Sequence, residues 1–332
     1  MLKKVLWTTI AFLGMQTAAA NAGEAMNLNL CGGSPNGLWS LLGVGLDRAV
    51  KADNPESSVT YQTSSGGFAN IMQIKKGACD LGIVHLGEAS LAWDGKPPFR
   101  SAEQEFGVVG VLYNWAPTQW VMTRDFADKY GISSLEDLAS KKPPVRIVMN
   151  RKGILPSIVA EDELKSLGVS VDDIEDWGGS VVNQGSSVAS ELIQNRRADM
   201  WVNQTFVGSS AIRSMSENMD MQLLEVPPAV VAAMAAKYGD TPFTIPSGAY
   251  PWLSKDITSN AATAMVVASS KMDPKVVEQL TNAMIEHIDL IQGVHSAMGK
   301  LTPQILNSQN KLAYLPGAVL AYKKHDLLVA AE

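Results

Sequence analysis

Three short runs, at residues 26–30, 59–63 and 80–84, read as strands, and the segments between them carry apolar residues at helical spacing. Leu38, Leu41, Leu42, Gly45, Leu46, Ala49 and Val50 fall on one face of the first helix. Ile71, Met72 and Ile74 mark the second, with Gly77 as its stop. Each predicted strand ends in polar chain. The first runs into Gly32-Gly33-Ser34-Pro35-Asn36-Gly37, the second into Ser64-Ser65-Gly66-Gly67, and the third ends at His85. Strand, glycine loop and helix in this order build a parallel sheet with helix N-termini along one edge. Those N-termini carry unpaired N–H groups and partial positive charge, and so suit an anion.

The alternation resumes downstream. Runs at 108–113 and 119–123 read as two strands, with 113–118 as a crossing into a second lobe. Ser133-x-x-Glu136 reads as a capping box opening a short helix. A strand at 145–149 leads into Asn150-Arg151-Lys152-Gly153 and a helix with Pro156 in its first turn and Gly168 at its end. Further strands are expected at 173–177, 199–202 and 221–226, and helices at 188–196 and 210–217. A return strand at 264–269 precedes a helix capped by Asp273, with Pro274 in its first position, whose apolar face includes His287. The expected fold class is α/β, with lobe 1 formed by 23–114 and 273–332 and lobe 2 by 115–272.

The first 22 residues read as a signal peptide: Lys3 and Lys4, an apolar stretch, then Ala20-Asn21-Ala22 before Gly23. Export to the periplasm is expected, and no later apolar run reaches the ~18 residues of a membrane span. The chain is 46% hydrophobic and 18% charged, with net charge −6, which becomes about −8 without Lys3 and Lys4. An acidic chain argues against nucleic acid as a partner. For the two cysteines, Cys31 ends one strand and Cys79 precedes a parallel neighbour. Four or five residues at ~3.3 Å would part them by about 15 Å, so free thiols are expected.

Ser34, Asn36 and Gly37 of the first glycine loop and Ser64, Ser65 and Gly66 of the second are candidate donors to a ligand carboxylate. Ordinary turn and cap chemistry is the alternative. Arg151, between a strand and a helix, can hold a carboxylate through two parallel hydrogen bonds, or pair with a surface acid. His85 and Glu88 can bind a polar ligand or each other. Gln184, Gln204 and Thr205 supply uncharged polar groups. Trp39, Tyr113, Trp115, Trp120, Trp177, Trp201, Phe206, Tyr250 and Trp252 are candidate cleft walls. The four histidines and two cysteines make no metal-ligand spacing, so no metal and no cofactor are expected. The lone S-x-x-K at Ser308 to Lys311 lacks the companion motifs of a penicillin-recognising enzyme, and there is no G-x-S-x-G. An enzyme is not expected.

Over the mature chain these residues resemble the TAXI family of TRAP-transporter solute-binding proteins. The likeness is carried by Gly32 to Gly37 with its helix, Ser64-Ser65-Gly66-Gly67 with Asn70, Gly77-Ala78-Cys79-Asp80-Leu81-Gly82-Ile83-Val84, and Leu112-Tyr113. Ser134-Leu135-Glu136-Asp137-Leu138, Ile245-Pro246-Ser247-Gly248-Ala249-Tyr250-Pro251 and Leu315-Pro316-Gly317-Ala318 extend it. The resemblance implies a type II periplasmic binding-protein fold, two α/β lobes joined by a hinge. It also implies a small carboxylate ligand and delivery to a TRAP membrane permease driven by an ion gradient. A monomer is expected. Asn150-Arg151-Lys152-Gly153 replaces the family's usual Gly-Ser-Gly-Thr, and His85 and Glu88 stand where Gln and Asp are usual, so ligand identity does not carry over. The alternatives are a periplasmic sensing module that docks a signalling protein and an enzyme on the same fold.

Overall fold

The computed structural model describes residues 24–35 and 37–327. The signal-peptide segment and Asn36 therefore lie outside the described residues. Ten strands form one connected sheet: β1 (Asn27–Cys31), β2 (Ser58–Gln62), β3 (Leu81–His85), β4 (Phe106–Thr123), β5 (Arg146–Met149), β6 (Ser180–Asn183), β7 (Met200–Gln204), β8 (Met221–Leu223), β9 (Thr241–Ile245) and β10 (Ile257–Ser269). Their order is β2-β1-β3-β10-β4-β7-β5-β6, with β8 beside β4 and β9 beside β10. β1, β2 and β3 pair in parallel, as do β5, β6 and β7, while β4 and β10 run antiparallel to their neighbours. Helices cover the sheet, giving two α/β lobes.

β4 explains the connection between the lobes. The expected pair of strands is one 18-residue strand. Its first part pairs with β10 as far as Pro117, opposite Ala261; from Thr118, opposite Gln204, it pairs with β7. Proline has no N–H to donate, and here it sits where the ladder changes partner. Its carbonyl still accepts the Thr205 N–H at 3.1 Å. β10 makes the matching exchange, pairing with β9 up to Ala261 and with β3 from Ala264.

The cores follow the same division. Leu28, Leu30, Leu42, Leu46 and Leu81 pack with Leu280, Met284, Leu306 and Tyr322, so the C-terminal helices close over the first lobe. Trp120, Ile147, Met149, Leu164 and Met200 centre the second. A smaller cluster joins the lobes: Leu91 of the first meets Leu155, Val159, Met234 and Tyr238.

Four expectations are corrected. Cys31 and Cys79 form a disulfide with Cα atoms 5.9 Å apart. The distance argument placed Cys79 on a backward extension of β3. The chain before β3 instead folds over the face carrying Gln62, whose Oε1 lies 3.7 Å from Cys79 Sγ. Residues 173–177 are not a strand: Val171–Asp176 is a helix, opened by a reciprocal capping box between Ser170 and Asp173. The earlier short helix has no capping box at Ser133 to Glu136: its N-cap is Ser134, whose Oγ takes the Asp137 N–H, while Asp137 Oδ2 accepts the Ser133 N–H and hydroxyl. His287 is half-buried at the C-terminal end of Pro274–Glu286 rather than in the core.

Candidate cleft between the lobes

A cavity of about 920 Å³ opens between the lobes, at the C-terminal ends of the parallel strands. One wall comes from the loop after β1, the loop after β2, the end of β3 and Tyr113. The facing wall comes from residues 150–152 after β5 and from 203–210, the end of β7 and the loop after it, with Arg213.

The first wall is held from behind. Tyr61 hydroxyl accepts the Gly33 N–H at 2.6 Å. Asn70, fully buried, donates to the carbonyls of Gly32 and Ile83, both at 2.7 Å, tying the ends of β1 and β3 together. Ser64 Oγ donates toward Gly32 O at 2.7 Å and accepts the Gly66 N–H at 3.0 Å, so this hydroxyl shapes the loop it sits on. Gly66 has φ +107°, a backbone that disfavours any side chain, and it opens the Gly67–Lys75 helix into the cleft.

On the facing wall, Asn150 Nδ2 donates to Asn203 Oδ1 at 2.7 Å, Asn150 Oδ1 accepts the Arg151 N–H at 2.7 Å, and Ser157 Oγ donates to Arg151 O at 2.9 Å. With its backbone fixed at both ends, Arg151 extends across the gap, and its Nη2 donates to Ser34 Oγ at 2.5 Å. Arg151, Lys152 and Arg213 put three cationic side chains on this wall.

The floor is aromatic. Trp39 and His85 rings lie 5.0 Å apart, Tyr113 and Phe206 5.0 Å, and Phe206 and His295 5.8 Å. Trp39 Nε1 donates to the Tyr113 hydroxyl at 3.1 Å. Burial pushes the Tyr113 hydroxyl well above its ordinary pKa; the Trp39 bond opposes this and the Glu88 charge adds to it.

Behind the floor, where the crossings meet, lies a buried polar cluster. Asp240 Oδ2 accepts from Gln204 Nε2 at 2.8 Å and from Asn260 Nδ2 at 2.7 Å. Burial raises this carboxyl to about 6 against the pull of Asn260, His85 and Gln204. Glu163 Oε2 accepts from Trp120 Nε1 at 2.5 Å, and burial raises its carboxyl to about 8.

Of the residues expected at a site, Ser34, Gly37, Ser64, Ser65, Gly66, His85, Arg151, Gln204 and Thr205 all line this cavity. Gln184 does not: it is exposed after β6, its N–H bonded to Met149 O. Gln204 spends its amide on Asp240, and Thr205 gives its carbonyl to Gln119 Nε2. Trp39, Tyr113 and Phe206 are cleft aromatics, whereas Trp120, Trp201 and Tyr250 are core. Lys152, expected beside Arg151 to face solvent, lines the cavity, and so do Asn203, Arg213 and His295; Arg213 and His295 lie in segments without a strand-end signal. Away from it, Asp53, Glu286 and His287 bring their ligand atoms within 4.8 Å of one another on the surface.

Solved structures share the fold at low identity. MatC from Rhodopseudomonas palustris with bound malate superposes with TM-score 0.53 at 14% identity, over 91% of this chain and 96% of that one. A TctC solute-binding protein from Polaromonas gives 0.53 at 12% identity, over 91% and 96%. PhnD1 from Prochlorococcus marinus in complex with methylphosphonate gives 0.54 at 10% identity, over 91% and 99%. No curated protein matches significantly in sequence. The NMT1-like family matches residues 30–325, nearly all of the described chain, and this protein belongs to it.

Proposed function

We propose that the chain is a periplasmic solute-binding receptor of the TAXI type, capturing a small organic acid between its lobes and delivering it to a TRAP membrane permease. The observation that carries this reading is the Arg151 guanidinium. It stands on the second lobe, yet reaches the glycine loop of the first. A carboxylate entering there meets a fork of N–H donors on one side and the helix N-termini at Gly37 and Gly66 on the other. A ligand that touches both walls only when they are close favours the closed arrangement by that difference in contact.

The lobe boundaries proposed are 23–114 with 273–332, and 115–272. The exchange of partners at Pro117–Thr118 supports the first crossing, while that at Ala261–Ala264 argues for a return nearer residue 262. Export by residues 1–22 and action as a monomer are part of the same reading. MatC, which shares this fold, is named with bound malate, in keeping with an organic-acid ligand.

The test is calorimetry on wild type and Arg151→Ala, with ligands first found by thermal shift against organic acids and amino acids. Truncation of a charge partner is expected to weaken an acid ligand by about 2 kcal/mol or more. Unchanged affinity would remove Arg151 from the site.

A further inference from the structure

The two walls of the cleft differ in charge. Arg151, Lys152 and Arg213 stand on the second lobe, while the first contributes a carboxylate, Glu88, only 2% exposed yet part of the cavity wall. Glu88 Oε2 accepts the His85 N–H at 2.8 Å and lies 3.3 Å from His85 Nδ1. Oε1 takes no hydrogen bond from the described residues, and His85 is the only ion-pair partner of Glu88 among them. Buried His85 Nδ1 is itself without a hydrogen-bond partner. The backbone makes room for this carboxylate: a Cβ at Gly67 would sit 1.7 Å from Glu88 Oε2. Trp39, whose ring lies 5.0 Å from that of His85, lines the same cavity together with Tyr113 and Phe206. A carboxylate with an open oxygen, bordered by aromatic rings and withdrawn from water, is a setting that attracts a cation.

Resting on the receptor reading above, we infer that Glu88 determines specificity and that the ligand is a zwitterion. Its cationic nitrogen lies against Glu88 and the aromatic floor, and its carboxylate against Arg151. A dicarboxylate would bring a second negative charge to Glu88 and is disfavoured.

The experiment compares matched probes on wild type and Glu88→Gln by thermal shift and calorimetry. L-alanine, L-glutamate and glycine betaine are the zwitterions; propionate, glutarate and 3,3-dimethylbutyrate are their counterparts without the nitrogen. Glutamine still accepts the His85 N–H, so the capping box at Leu86–Trp93 survives and the fold is kept. At least one zwitterion is expected to stabilise wild type while its counterpart does not, with Glu88→Gln weakening it about 30-fold or more. A Glu88 that serves only as a cap would leave the ligand preference intact in Glu88→Gln, because glutamine keeps that bond; that overturns the inference. Tighter binding of the nitrogen-free acids, abolished by Arg151→Ala, overturns the inference and leaves the receptor reading standing. No stabilisation by any probe overturns both.

Discussion

Glu163 offers a sharp test of how the crossings are built. Its side chain is fully buried, with Trp120 Nε1 bonded to Oε2 and Thr118 and Asn260 beside it. Glu163 Oε1 and Asn260 Oδ1 are both buried acceptors without a donor. Burial raises the pKa of this carboxyl from 4.5 to about 8, against the hydrogen bonds of Trp120, Thr118 and Asn260 that favour its charged form. The sign follows from linkage: the folded protein holds this proton more tightly than the unfolded chain does. The stabilisation this provides is lost progressively as pH rises from about 4.5 through about 8. The full cost, reached above pH 8, is about 4 to 5 kcal/mol. Glu163→Gln keeps the acceptor for Trp120, supplies a permanent N–H donor toward Asn260 and cannot ionise. The variant is expected to melt close to wild type near pH 4.5 and higher by about 6 °C or more at pH 9. Thermal melts of both proteins across that range decide it. Parallel curves would mean that Glu163 is ionised in the folded protein and that the reasoning fails.

Three further outcomes follow from the geometry. The Cys31–Cys79 bridge spans 48 residues, and closing such a loop restricts the unfolded chain by about 4 kcal/mol; reductant should lower the wild-type melting temperature to that of a Cys31→Ser/Cys79→Ser variant and leave the variant unmoved. A Cβ at Gly87 would lie 3.0 Å from Tyr238 and 3.1 Å from Leu155 across the lobe contact; Gly87→Val should weaken any ligand of the wild type tenfold or more by calorimetry, and full affinity would show that the lobes need not meet there. Asn70→Ala removes donors to two buried carbonyls at strand ends, so chemical denaturation should show a loss of about 2 kcal/mol or more.

The fold was legible where local chemistry and tertiary packing agree. The alternation at β1 and β2, the glycine loops after them, and Asp273-Pro274 before its helix all mean the same thing in the peptide and in the protein. Arg151 was legible for that reason: a residue between a parallel strand and the following helix faces the cleft edge whatever else surrounds it. The failures lie where an answer depends on distant chain. Cys79 was misplaced because nothing in residues 76–80 tells that they fold over a neighbouring strand's face. Ser64 and Gln204 sit at the right edge, but only the positions of Gly32 and Asp240 reveal that their polar groups serve the protein itself. The helix at Val171–Asp176 was missed despite a local signal, because Ser170-x-x-Asp173 is a capping box with aspartate in place of the more familiar glutamate.

β4 and β10 pass between the lobes as paired ribbon, not as loose loops. On the proposed receptor reading, opening and closing flex this ladder, register shifts near Ala262 to Met265 included, much as a leaf spring bends without parting. Deuterium should therefore enter the amides of Ala116, Thr118 and Gln119 slowly even in the empty protein, while the glycine loops facing the cleft exchange fast. On the receptor reading proposed above, the motion that closes the cleft would be a bend of this paired ribbon rather than the swing of a free loop.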